Sequence, residues 1–96
     1  MLPDHSSQNL RRIILGNHVE QRIAQRGGDV ETVKTRVRRA HTLVSQRPFL
    51  VGVPLALLGE DVVPVVKFRQ GGSRAVVATV LCPSHVLKPG TLPLKV

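Results

Sequence analysis

Three side chains with chemical potential stand four residues apart early in the chain: His18, Arg22 and Arg26. On a helix this i, i+4, i+8 spacing draws one slowly drifting line along the cylinder. A histidine in the first turn, near the positive end of the dipole and beside two guanidiniums, suits the role of a neutral base. RNA cleavage needs a base for the 2′-hydroxyl proton and an acid for the leaving 5′-oxygen. It also needs cations to meet the pentacovalent phosphorane. The line supplies part of that set without a metal. The plainer alternative is a solvated helix face carrying a surface histidine and ordinary arginines.

A second cationic group lies late in the chain: Lys67, Arg69 and Arg74. By the two-residue period of a strand, Lys67 and Arg69 share one face, with Val66 and Phe68 on the other. Such a face would hold a phosphate, unless it is simply solvated. Cys82-Pro83-Ser84-His85 has half the spacing of a zinc site, and no second pair completes a tetrahedron, so no metal or other cofactor is expected. His41 falls near the seam of a helix and suits a half-buried or dipole-facing place, while His5 sits in a polar start. Gly71-Gly72 reads as a hairpin turn, with no strand–glycine–helix phosphate loop around it.

Charge narrows the class of partner. The 96 residues carry fourteen Lys and Arg against six Asp and Glu, a net charge of +8. Residues 11–47 hold nine of the bases and three acids, a local +6. A field of this sign concentrates polyanions, of which nucleic acid is the commonest inside cells. There is no Trp or Tyr, and only Phe49 and Phe68 among aromatics, which excludes sheets that stack several bases on aromatic rings. Base contacts must come from Arg planes, His rings or backbone edges.

The elements that position these groups divide the chain in half. Asn17 reads as the N-cap of a helix over 18–26, with Glu20 in capping-box position and Gly27 as C′ residue. A second helix begins at Asp29, and Val30, Val33, Val37, Ala40 and Val44 form its apolar seam. The period then changes. Phe49–Leu58, Val62–Arg69 and Arg74–Leu81 are rich in β-branched residues and separated by Gly59-Glu60-Asp61 and Gln70-Gly71-Gly72-Ser73. Leu10–Leu15 offers a short leading strand. Pro54 and Pro64 point to edge or bulged strands. The expected fold is α+β, two N-terminal helices on a three- to four-stranded antiparallel sheet. Residues 1–10 read as a flexible N-terminus, 11–82 as a single domain and 83–96 as a Pro-rich extended tail.

The stretch from Gly16 to Gly27, with His18, Arg22 and Arg26-Gly27 one turn apart, resembles a small bacterial and phage family. That family is similar to the RelE-like ribonuclease toxins of the barnase–EndoU–colicin–RelE group. The likeness covers residues 12–82, and Val62–Arg69 and Arg74–Leu81 resemble the closing hairpin. It implies a RelE-like fold and a catalytic set of His18, Arg22 and Arg26, completed by Thr79 near the end of the last strand. The Pro-broken Phe49–Leu58 run and the Pro-rich tail depart from the pattern.

Three readings follow. One is a metal-independent endoribonuclease, a toxin or phage-borne effector, with Lys67, Arg69, Arg74 and Arg36 holding RNA. Another is a non-catalytic basic module, a phage or bacterial regulator gripping nucleic acid or a host protein. The Gly27-Gly28-Asp29 turn also permits a helix-turn-helix with Arg36, Arg38 and Arg39 toward DNA, although half the chain reads as strand. A third reading is an interaction protein docking through Phe49–Leu58. An antitoxin-like partner or a homodimer would cover that apolar segment. The segment spans about ten residues, half a membrane crossing, so no membrane is expected. The single cysteine, Cys82, and a start without a signal pattern suit the cytoplasm.

Overall fold

The computed structural model describes residues 10–96. The expected flexible stretch 1–10, His5 included, lies outside the described residues except for Leu10. Among those described, strand β1 (Arg12–Leu15) leads into helices α1 (Val19–Gln25) and α2 (Val30–Gln46). Strands β2 (Leu55–Leu58), β3 (Val63–Arg69), β4 (Arg74–Leu81) and β5 (Leu92–Lys95) follow. The α+β class and the two helices agree with the sequence reading. No helix among the described residues is long and apolar enough to cross a membrane.

The sheet differs from the expectation. It has five strands in the order β1-β4-β3-β2-β5, and it is mixed rather than antiparallel. β1 runs parallel to β4 and β5 parallel to β2, while β2–β3 and β3–β4 are antiparallel. The reason is connectivity. Two helices separate β1 from the hairpin strands, so β1 enters the far edge in a direction that no short-range turn dictates. The tail from Pro83, expected to be irregular, returns to supply β5, where Pro93 is tolerated because the strand is an edge. Phe49–Leu58 is not one strand. Pro48–Leu50 forms a 3₁₀ turn, Gly52 takes φ 85°, and pairing starts only at Leu55, after Pro54. Pro64, expected at an edge or in a bulged strand, lies in central β3 beside a bulge between Val65 and Val66. The β2 partners are Val65 and Val66, so that pairing stops short of Pro64.

One face of the sheet is covered by the helices. Val19, Ile23, Val33, Val37, Ala40 and Val44 meet Leu55, Leu57, Val66, Phe68, Ala75, Val77 and Val80 in one buried cluster. The seam foreseen for α2 is therefore the buried one, with Val30 packing at its margin. Asp29 caps α2, its Oδ2 accepting from the Thr32 amide at 3.1 Å and the Thr32 hydroxyl at 3.2 Å. Between the helices, Gly27 at φ 75° closes α1. The Gly28 amide donates to the Ile23 carbonyl at 2.8 Å and the Gly27 amide to that of Ala24 at 3.1 Å, a Schellman pattern.

Candidate nucleic-acid interface

Pairing with β4 continues one residue past the end of β1. The Gly16 amide still donates to the Val77 carbonyl at 2.9 Å, and the chain then reverses tightly as the Val19 amide donates to the Gly16 carbonyl at 3.1 Å. The third residue of that turn is His18, which takes φ 66° and ψ 1°. His18, not Asn17, therefore holds the cap position of α1, and no side chain caps the helix start. The turn closes before Asn17 can reach the first helical amides, and it forces a non-glycine residue into the left-handed region. His18 is exposed and borders a hollow of about 370 Å³ with Leu15, Gly16, Asn17, Glu20 and Gln21.

Arg22 is exposed on α1 and Arg26 is exposed at its C-cap. Arg26 donates to the Cys82 sulfur just past β4, which ties the end of α1 to the end of that strand. Arg36 is turned elsewhere. Its guanidinium pairs with the Asp61 carboxylate and donates to the Val62 carbonyl at 2.6 Å. Hydrogen bonding from Arg36 holds the Asp61 carboxyl below its ordinary value of 3.8. Arg36 thus clamps the loop before β3 to α2.

The other expected cations lie on the sheet face turned away from the helices. Val66 and Phe68 are buried under α2, so Lys67 and Arg69 alternate onto the open face. Register then joins three strands. Arg69 stands opposite Arg74, and Arg74 stands beside Arg12 in the parallel pairing of β1. Three arginines form a row across β3, β4 and β1, spaced by about 4.8 Å per strand. Neighbouring like charges in a sheet oppose one another. Among the described residues no carboxylate pairs with this row.

Farther along the same strands, Val65 stands opposite Thr79, also on the open face. Thr79 and Lys67 line a cavity of about 630 Å³ beneath the segment that carries His85, Leu87 and Lys88. The structure therefore brings Lys67 and Thr79 together, and Arg69 with Arg74. It places His18 on a separate hollow, so Thr79 does not share its cleft.

Arg12 was missed by reasoning from sequence. The order Arg12-Ile13-Ile14 hints at which side it faces, but nothing local says that β4 lies beside it. A further basic hollow, about 360 Å³, is bordered by Arg11, Arg12, Lys34, Arg38 and His41, with His41 tilted against the Phe68 ring. Lys34 there stands 3.8 Å from the Glu31 carboxylate. No family model, no curated protein and no solved structure matches this chain.

Proposed function

We propose that this protein binds RNA through its phosphate backbone, with the row Arg12–Arg74–Arg69 as the principal contact. The row carries the reading: three arginines hold adjacent register positions across β3, β4 and β1, and phosphate is the partner that repays the repulsion of like charges so placed. Binding of this kind releases counterions, so affinity falls steeply with salt, with a slope of about 0.7 per phosphate neutralised on a single strand. The test is a titration of labelled RNA at several salt concentrations. Arg74→Ala should weaken binding and lower the slope by about one contact. An unchanged slope overturns the assignment of the row, and no binding even at low salt overturns the reading.

A second reading is favoured by His18. A strained, exposed histidine at the mouth of a hollow is the sort of placement that active sites keep. In this reading the protein is a metal-independent endoribonuclease like the family its Gly16–Gly27 motif resembles. His18 takes the 2′-hydroxyl proton as that oxygen bonds to phosphorus, the P–O5′ bond breaks with its oxygen protonated from solvent water, and Arg22 and Arg26 meet the phosphate charge. Cleavage should then survive chelation by EDTA, and His18→Ala should slow it by about 10²–10⁴-fold with RNA affinity retained. RNA left intact by the parent protein removes this reading and leaves the first.

A further inference from the structure

The open sheet face is divided along its strands. At one end stands the arginine row. At the other the exposed pattern turns apolar, with Val65 on β3 and Leu81 on β4 facing the segment from His85 to Thr91. Lys67 lies between the two ends and borders the cavity. From Val65 to Arg69 the strand advances four residues, about 13 Å. The arginine row and the cavity are therefore two parts of one continuous track.

The cavity has the composition of a ligand site. Its volume of about 630 Å³ falls within the range, about 300–1,000 Å³, that small organic groups occupy. Its walls include Pro54, Val65, Leu81 and Leu87, and its polar lining residues are few: Thr79, Thr91, His85, Lys67 and Lys88. No Asp or Glu borders it. A flat heterocycle with donors and acceptors on its edge, attached to a negatively charged chain, meets each of those features. The apolar walls take its faces, Thr79 and His85 reach its edge, and Lys67 and Lys88 meet the flanking phosphates.

We propose that this cavity receives an unpaired nucleobase, which makes the protein a reader of single-stranded RNA rather than of duplex. The proposal rests on the phosphate-binding reading of the arginine row and adds the ligand's strandedness. A paired base cannot enter without being unstacked, whereas the row meets phosphates in either form.

The experiment compares a fluorescein-labelled RNA of about ten nucleotides with the same strand annealed to its complement, by anisotropy at low salt. The parent protein should favour the single strand by about 2- to 10-fold, the gain from about one net hydrogen bond to the base edge. Thr79→Leu, which removes the hydroxyl and narrows the cavity where the base edge would sit, should abolish that preference while duplex affinity stays. Arg74→Ala should weaken both RNAs alike. Thermal melts establish that each variant is folded, and if Thr79→Leu is not, His85→Ala on the exposed segment decides by the same criterion. Equal affinity of the parent for both RNAs, or a preference untouched in the folded variants, overturns the nucleobase site and leaves the row standing. Failure of the parent to bind either RNA overturns the row as well.

Discussion

His18 shows how one residue separates folding from function. Left-handed backbone costs an L-residue about 1–2 kcal/mol, and glycine escapes that cost. No side-chain cap bond from His18 compensates at the helix start. His18→Gly should therefore melt no lower than the parent, and up to about 5 °C higher, in a thermal scan. The same variant should lose RNA cleavage wherever the histidine is the base. A melt several degrees below the parent would mean that the imidazole holds structure instead. Val19 and Ile23, its helix neighbours, are fully buried, so substitutions there would report on packing alone.

At the scale of elements, the ion pair between Arg36 and Asp61 joins α2 to the loop leading into β3. Gly59 belongs to the same arrangement, because an added Cβ there would stand in the space of the Arg36 guanidinium. Asp61 favours its carboxylate form more in the folded state than its ordinary value of 3.8 implies. Its contribution to stability is thus complete above about pH 5 and is lost as pH falls through the lowered folded value. The pair is partly solvated, with about a third of the Asp61 side chain exposed, so it contributes about 1 kcal/mol. Asp61→Asn should lower stability by about that much at pH 7 and flatten the loss between neutral and acid pH, read from urea melts at pH 7 and pH 3. An acid loss as large as the parent's would assign the effect to other carboxylates. Gly59→Ala should cost a similar amount, and the two changes together less than their sum.

For the molecule as a whole, the sheet depends on its last strand. Leu92–Lys95 pairs with all four residues of β2, and Leu94 and Val96 pack against the core. Without β5, the apolar strand Leu55–Leu58 becomes an open edge. Removing residues 91–96 should lower stability by about 2–5 kcal/mol, by analogy with losing two large apolar side chains. It should also shift the protein toward aggregates on size-exclusion chromatography. A truncated chain that stays monomeric and melts with the parent would show β5 to be an accessory. The cationic face would be disturbed least, since the arginine row lies on β1, β4 and β3, away from β5.

Local signals were enough for the local features. The spacing of Val33, Val37, Ala40 and Val44 specified the buried face of α2, and Asp29 and Gly27 specified the ends between the helices, because capping and periodicity act within a few residues. Alternation likewise put Lys67 and Arg69 on one face of β3. The cap of α1 was misassigned to Asn17 because a hydrogen bond from Gly16 to β4, a partner over sixty residues away, sets where the turn falls. Strand order, the parallel edges and the fifth strand were decided only in three dimensions, since a sheet register between distant segments leaves no periodic trace. Composition alone made the protein basic. Tertiary pairing set Arg12 beside Arg74 and Arg69, and folded the proline-rich tail over Thr79, turning scattered charge into a track with a cavity at one end.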